Sequence, residues 1–384
     1  MRVQLVYFNA GGGHRAAATA LQAVCTQQRR RWDVQPVNLV EIVDPQGLFQ
    51  RCTGMAPEDL YNMRLARGWT LGLAQELKLL QGLIRMAHGQ LCQRLAAHWQ
   101  ASRPDLVVSL IPNFNRALGE SLATARPGVP FMTVMTDMAD HPPNFWRAAG
   151  VDQHLVCGTP HAVAQARAAG HAAQQLHEVS GMPVHPDFYT PLALDRAAER
   201  RALGLPHAAD EAPVGVVMFG GAGSMVMERI AQRLSDTPLI LLCGHHARLA
   251  QRLRALPAAA PRVVLGFTRE VRRYMALADF FIGKPGPGSL SEALLMGLPV
   301  LTTRNAFTMP QERYNTQWLD TQGLGLVLRS FGDIAPAVRQ LAERLPEYRA
   351  RVARLHNRAV FELPDLMEQV ACRMPSPAQM AMVL

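Results

Sequence analysis

The chain contains no Cys-x-x-Cys pair, no zinc-finger spacing, no apolar run of membrane-spanning length and no low-complexity tract. Its six cysteines, at positions 25, 52, 92, 157, 243 and 372, are scattered, so neither a disulfide framework nor a zinc site is expected. The basic and aromatic residues do not interleave as in RNA-binding modules, which removes nucleic acid from the expected partners. Residues 1–10 read as a core strand and not as a secretory leader, which with the cysteine usage places the protein in a reducing cytoplasm. What the chain has in excess is positive charge. Lys+Arg number 39 against 30 Asp+Glu, a formal net charge of +9, which favours an anionic partner such as a nucleotide or a membrane surface. With 384 residues, 49% hydrophobic and 18% charged, it has the size and composition of two globular domains.

Short apolar runs alternate with helical patterns along almost the whole length. Residues 3–9 read as a strand, followed by the turn Gly11-Gly12-Gly13-His14 and an alanine-rich helix over 15–28. Further strands are expected at 34–40, 105–111, 130–135 and 154–157, with a helix at 160–169, whereas 46–68 carries little periodicity. The stiff, turn-rich passage at 180–186 reads as a linker. Beyond it the pattern restarts with strands at 214–219, 239–243, 262–265 and 280–282, and the tail from 334 to 370 is mainly helical, ending in a loosely held 374–384. Repeated strand–loop–helix units imply parallel sheets covered by helices on both faces, with ligands beyond the carboxyl ends of the strands. His14, Asn113, Asp137 and His141 fall at such ends.

The stretch from 283 to 301, Gly-Lys-Pro-Gly-Pro-Gly-Ser-Leu-Ser-Glu-Ala-Leu-Leu-Met-Gly-Leu-Pro-Val-Leu, lies between two strand-like runs. Ser289 as N-cap with Glu292 three residues later reads as a capping box, and Gly286 and Gly288 let the backbone approach a ligand. A glycine turn that opens a helix presents free N–H groups and the positive end of the helix dipole, an anion site. The same residues could equally be a capped helix without a ligand. A long helical pattern over 71–99 has apolar residues every third or fourth position, a polar face with Lys78, Arg85 and Arg94, and Arg64, Arg67 and Trp69 just ahead of it. Such a segment faces a core or lies on an anionic lipid surface, and the 64–69 approach is the better membrane contact of the two.

In this order and spacing the motifs resemble those of the monogalactosyldiacylglycerol synthase family and, more distantly, the UDP-N-acetylglucosamine transferase of peptidoglycan assembly. They are Gly-Gly-Gly-His-Arg-Ala at 11–16, Thr-Asp-Met at 136–138 with His141-Pro142, Ser-Gly-Met-Pro-Val at 180–184, and Phe-Gly-Gly-Ala-Gly-Ser at 219–224. Gly266-Phe267, Lys-Pro-Gly-Pro-Gly-Ser-Leu-Ser-Glu-Ala at 284–293 and Pro-Gln-Glu-x-x-Asn at 310–315 complete the set. The resemblance spans about residues 5 to 330. It implies the α/β GT-B fold: two Rossmann-like doubly wound parallel-sheet domains facing across a cleft. Residues 1–189 would form the acceptor domain, 190–345 the nucleotide-sugar domain, and 346–384 a helical segment packing back toward the N-terminal domain.

The resemblance further implies an inverting, metal-independent hexosyltransferase that uses a UDP-sugar as co-substrate, with no cofactor, and a lipid or lipid-linked acceptor at the inner face of the membrane. No Asp-x-Asp metal motif is present, so the departing diphosphate would be met by loop amides and a helix N-terminus: Gly220, Gly221, Ser224 and the turn Gly286, Gly288, Ser289. Glu292 would bond the ribose hydroxyls, Phe267 would lie by the uracil through its backbone, and Gln311, Glu312 and Asn315 would hold the sugar. Inversion needs a base on the acceptor hydroxyl, and a neutral histidine suits that role near pH 7. His14, opening a helix directly after glycines, is the first choice; its alternative is to cap or pack. The resemblance places Asp137 beside it to orient or assist it and His141, with Gly12, Gly13 and Asn113, on the acceptor; the alternative for Asp137 and His141 is a bond to local backbone after a strand. Two segments depart from the family pattern: Pro112-Asn113, where relatives place a histidine, and His245-His246, where relatives carry Arg or Lys. A UDP-sugar 2-epimerase and a non-catalytic nucleotide-sugar-binding protein are the alternatives; an epimerase would have no use for the amphipathic segment.

Overall fold

The computed structural model describes residues 1–9, 12–47, 51, 54, 73–207 and 212–373. The expected 64–69 membrane approach, most of the irregular stretch at 46–68 and the tail 374–384 lie outside the described residues. The described residues up to Pro186, together with those from Asn357 on, form one compact unit, and Asp187–His356 form the other. The division falls after Pro186 and after His356, where the sequence reading placed it after residues 189 and 345.

In the first unit the elements run β1 (Arg2–Tyr7), α1 (Gly13–Gln27), β2 (Asp33–Asn38), α2 (Leu39–Val43), α3 (Leu73–Met86), α4 (His88–Ser102), β3 (Leu106–Ser109) and α5 (Asn115–Ala125). They continue with β4 (Phe131–Val134), β5 (His154–Cys157), α6 (Pro160–Ala168) and β6 (Leu176–Glu178). All six strands are parallel in the order β2-β1-β3-β4-β5-β6. The four residues of β3 and of β4 are all buried, the signature of strands covered on both faces, which is why their sequences read as unbroken apolar runs. The chain leaves β1 for β2 on one side and later returns for β3 on the other, so the loops after β1 and β3 diverge at a switch point.

The expected single helix over 71–99 is two helices, α3 and α4, separated at Ala87. Their apolar faces have different destinations, and one straight rod does not serve both. Leu95 and Trp99 of α4 are fully buried, with the Trp99 indole N–H donating to Ser121 Oγ on α5 at 2.9 Å. On α3, Leu79, Leu83 and Met86 stay exposed at 65%, 53% and 85%, beside an exposed Arg85. This stripe does not face a core.

The second unit contains α7 (Arg196–Ala202), β7 (Gly215–Met218), α8 (Val226–Arg233), β8 (Leu239–Leu242), α9 (Ala247–Ala255), β9 (Arg262–Leu265), α10 (Val271–Ala276) and β10 (Phe280–Gly283). α11 (Pro287–Leu295), β11 (Val300–Thr303), α12 (Pro310–Thr321), β12 (Gly325–Leu328), α13 (Ile334–Glu343) and α14 (Leu345–Val352) follow. Its parallel sheet has the order β12-β11-β10-β7-β8-β9, with the switch point between β7 and β10. The last helix, α15 (Ala359–Arg373), belongs to the first unit, where it packs on α1. Glu362 of α15 accepts from the Ser180 main-chain N–H at 2.8 Å, and Asn357 Nδ2 donates to the Met182 carbonyl at 3.0 Å.

Asp279 organises the core edge of the second unit. Its buried carboxylate accepts from Arg196 at 2.7 Å, Arg200 at 2.6 Å, Arg349 at 2.5 Å and the Val214 N–H at 2.7 Å, tying α7, α14 and β7 to the start of β10. Burial alone would push this carboxyl up, but the Val214 N–H and the arginines outweigh it and hold it at about 2. Asp279→Ala strands buried guanidinium charge and is expected to cost about 3–5 kcal/mol, read as a lower urea midpoint of the second unit. Because the folded value lies below the unfolded one near 4, the Asp279 contribution is full above about pH 4 and disappears as pH falls toward 2. Urea titrations of the parent chain and the variant should converge over that interval.

Candidate functional site

In the first unit the groups gather at the carboxyl ends of β1, β3 and β4. Gly12 is the N-cap of α1 in a left-handed conformation (φ 81°) that a side chain would strain, and no side chain caps the helix. Gly13 is the first helical residue and His14 the second, so of the two alternatives for His14, to cap or to pack, the structure removes the cap. Its Nδ1 lies 3.0 Å from Thr136 Oγ1, just beyond β4. Burial pushes the imidazole down to about 4, with the Leu110 carbonyl opposing. The ring is therefore neutral at pH 7 and able to accept a proton, and burial is the cause.

Asp137 follows Thr136, and its Oδ2 accepts the Trp146 indole N–H at 3.1 Å. Trp146 is itself fixed: its carbonyl receives Asn115 Nδ2 at 2.9 Å and Gln153 Nε2 at 3.0 Å, both from buried side chains. Its ring stands edge-on to both His14 and His141, at 6.4 Å in each case, so one indole connects three of the expected residues. His141 borders a cavity of about 250 Å³ walled by Met135, Phe145, Trp146, Leu155, Ala162 and Ala166. Both its ring nitrogens are buried without a hydrogen-bond partner, and burial pushes the imidazole down to about 4, Asp140 opposing and His161 adding. Asn113 is left-handed (φ 68°), donates its N–H to the Phe145 carbonyl at 2.6 Å and accepts Gln81 Nε2 from α3 at 3.0 Å. It shapes the loop that carries the aromatic wall.

In the second unit Gly283 pairs with Met218, so the loops after β7 and β10 leave adjacent strands side by side. The β7 loop holds Gly220 (φ 74°), Gly221 and Gly223 (φ 65°); a Cβ on Gly223 would sit 2.5 Å from the Cys243 carbonyl oxygen, so only glycine fits. Ser224 is buried and accepts the Val226 N–H at 3.4 Å at the mouth of α8. The two departing histidines have distinct positions. His246 caps α9 by accepting the Leu249 N–H at 3.1 Å, while His245 donates its main-chain N–H to the Gly221 carbonyl at 2.8 Å and stacks flat on exposed Phe267, ring centres 4.1 Å apart.

α11 corrects the expected capping box. Its N-cap is Gly286, with Pro287 at N1 and no side-chain cap, so the helix starts about three residues before Ser289. Proline sets φ for a first turn and lacks the N–H that would go unused there, which is why it wins the start from Ser289. The amides of Gly288 and Ser289 then lie in the first turn, where helices have no internal acceptors for them. Glu292 is a turn further in and caps nothing. Among the described residues no hydrogen bond or ion pair is made by its carboxylate, and burial pushes it up to about 7.

The other expected sugar ligands flank this turn. Glu312, near the start of α12, is buried and pushed up by that burial, opposed by Lys284 Nζ at 3.8 Å. Asn315 is fully buried; its Nδ2 donates to the Pro285 carbonyl at 2.8 Å, while its Oδ1 is buried without a partner. Gln311 Nε2 contacts Met309 Sδ at 3.7 Å. The structure thus brings His14, Asp137 and His141 together, and separately Gly286, Glu312 and Asn315. Sequence reasoning did not single out Thr136, Trp146 or Lys284. The signals were there in outline: Thr136 precedes the expected Asp137, Trp146 follows the His-Pro-Pro turn, and Lys284 is one of only two lysines in the chain. Among the described residues no helix is long and apolar enough to cross a membrane.

No protein-family model matches the chain. It is similar to monogalactosyldiacylglycerol synthase 1 of Arabidopsis thaliana, 25% identical over 369 residues covering 88% of this chain and 64% of that protein. The synthase of Spinacia oleracea is 26% identical over 362 residues, 88% of this chain and 66% of that protein. The chain therefore spans slightly less than two thirds of these relatives. Among solved structures it resembles Acinetobacter baumannii MurG, with TM-score 0.62, 14% identity and coverage of 96% of this chain and 99% of that one. The UDP-GlcNAc 2-epimerase of Neisseria meningitidis has TM-score 0.59 at 13% identity, covering 97% and 100%. At such identities the likeness concerns the fold alone. The homologues of this chain are monogalactosyldiacylglycerol synthases, and its two six-stranded parallel sheets with flanking helices are those of GT-B glycosyltransferases.

Proposed function

We propose that the protein is an inverting, metal-independent hexosyltransferase that moves a sugar from UDP to a diacylglycerol-like or other membrane-associated acceptor. In this reading it works as a peripheral protein on the cytoplasmic face of a membrane. The observation that carries the reading is the outward apolar stripe of α3, Leu79, Leu80, Leu83 and Met86, with Arg85 beside it. An exposed stripe of this size marks a contact surface, and an enzyme acting on soluble nucleotide sugars alone has no use for it. The net charge of +9 suits an anionic surface.

The chemistry follows from the two sets of groups. Neutral His14 takes the proton of the acceptor hydroxyl as its oxygen attacks the anomeric carbon from the face opposite the diphosphate. Asp137 and Thr136 hold the indole and the imidazole that frame the acceptor. The bond from the anomeric carbon to the diphosphate breaks, and UDP leaves with the extra charge. The first-turn amides of α11, the amides of the β7 loop and Lys284 stabilise that charge. Glu292 grips the ribose, and Glu312 with Gln311 contacts the sugar.

Radiolabelled UDP-galactose, UDP-glucose and UDP-N-acetylglucosamine, each offered with vesicles of phosphatidylglycerol and diacylglycerol, test the proposal. Label from one donor should enter the organic phase. Label that stays aqueous while UDP binds would sink the lipid acceptor, and label appearing in a 2-epimer would favour the isomerase. In the same system Leu83→Glu with Met86→Glu should weaken co-sedimentation with the vesicles at least tenfold, because two large apolar side chains no longer enter the lipid, while UDP affinity in solution stays unchanged. Undiminished co-sedimentation would move the membrane contact elsewhere.

A further inference from the structure

Three side chains of the first unit that take no part in the proposed transfer converge on one point. His88 opens α4 and Cys92 follows one turn later on the same face, while Glu120 reaches them from α5. His88 Nε2 lies 2.7 Å from Glu120 Oε2 and 3.5 Å from Cys92 Sγ, and all three candidate ligand atoms are within 4.8 Å of one another. One ring nitrogen therefore faces a carboxylate oxygen and a thiol sulfur together. A nucleophilic triad would use both imidazole nitrogens, one for each neighbour. Arg116 Nε holds the other carboxylate oxygen, Oε1, at 2.7 Å, which turns Oε2 inward in the manner of an outer-shell partner.

We propose that His88, Cys92 and Glu120 bind a divalent cation of the zinc type, with a fourth position for water, and so staple α4 to α5. The mixed N, S and O donor set suits Zn²⁺ and is poorly matched to Mg²⁺ or Ca²⁺. In tetrahedral zinc sites with bonds of roughly 2.0–2.3 Å, neighbouring ligand atoms stand about 3.4–3.6 Å apart. The His88–Cys92 spacing already matches, and the His88–Glu120 contact has to open by about 0.7 Å, within reach of a glutamate rotamer. On binding, the Cys92 thiol proton leaves to solvent as the sulfur–metal bond forms, so the ligand is the thiolate. The expectation of no zinc site rested on cysteine spacing, and His-x-x-x-Cys with a carboxylate on another helix is invisible to that test.

Co²⁺ titration of the full chain under reducing conditions, in a background carrying Cys52→Ser and Cys372→Ser, reads the site directly. One Co²⁺ per chain should give a near-ultraviolet thiolate-to-metal band with tetrahedral visible bands, all displaced by Zn²⁺, and Zn²⁺ should raise the thermal midpoint by several degrees. Cys92→Ser should lose the near-ultraviolet band, and His88→Ala and Glu120→Gln should each weaken binding at least tenfold. The three variants should melt like the parent without metal, which separates a lost ligand from a lost fold. A near-ultraviolet band that survives Cys92→Ser, or binding that never saturates at one equivalent, would overturn the proposal.

Discussion

His14→Ala is expected to lower turnover by about a hundredfold or more while leaving UDP affinity unchanged, since positioned general bases contribute at least that much. The separation follows from the structure. His14 belongs to the first unit, whereas Glu292, the α11 first turn and the β7 loop all belong to the second. Nor should the variant lose its fold, because α1 is capped by Gly12 without help from a side chain, and the hydrogen bonds lost are those to Thr136 and to the Leu110 main chain. The pH profile sharpens the test. Burial holds His14 at about 4, so the base stays deprotonated down to that region. At saturating donor, kcat should be nearly flat from pH 8 to about pH 5 and fall only below it, in place of the midpoint near 6.5 that an exposed histidine would give. Rapid turnover by the alanine variant, or an acid limb near 6.5 in the parent, would remove His14 from the base role. Thr136→Val is the companion measurement: it keeps the shape but frees Nδ1, and a partial loss of kcat with KM unchanged would mark Thr136 as a positioning residue.

Most strands were legible because parallel strands buried on two faces are written as short apolar runs between turns, and 154–157 matches β5 residue for residue; the partly buried edge strands β6 and β12 carry too little of that signal and were not expected. Helix starts were harder. Ser289 and Glu292 have the spacing of a capping box, yet Pro287 two residues earlier is the stronger start signal, and reading it first frees Glu292 from the cap. The 71–99 pattern failed for a different reason: periodicity says that one face is apolar but not what covers it, and only tertiary packing shows Trp99 buried and Met86 bare. His14, Asp137 and Glu292 were singled out because each follows a strand or opens a helix within a recognisable motif. Trp146 joins His14, Asp137 and His141 through contacts between separate loops, a relation that local spacing does not carry.

Glu292→Gln should make the protein more stable and a worse binder at once, a combination that a merely structural carboxylate would not produce. Burial lifts Glu292 to about 7, whereas an unfolded glutamate titrates near 4.5. The folded state therefore holds a proton that the unfolded chain has released between those values. Folding stability must fall as pH rises from about 4.5 to 7, and by pH 8 the site keeps an ionised group with no protein partner, a burden on the order of 1 kcal/mol for a carboxyl with some access to water. Glutamine removes that burden, so the variant's thermal midpoint should exceed the parent's at pH 8 and match it near pH 4.5. A ribose offers two hydroxyl donors that suit a carboxylate and would leave an amide half satisfied. UDP affinity at pH 8 should accordingly drop about tenfold to a hundredfold in Glu292→Gln, the range expected for hydrogen bonds to a charged group. In the parent, UDP affinity should fall as pH drops below about 7, because the carboxylate must first be deprotonated; in the variant only the part of that slope set by the terminal phosphate of UDP, which takes up a proton near pH 6, should remain. Calorimetric titration of UDP at pH 5.5, 7 and 8.5 on both proteins distinguishes the readings. Equal affinities would return Glu292 to a structural role, whereas weaker binding with higher stability and a shallower pH profile than the parent's would identify it as a group kept unpartnered for the ligand.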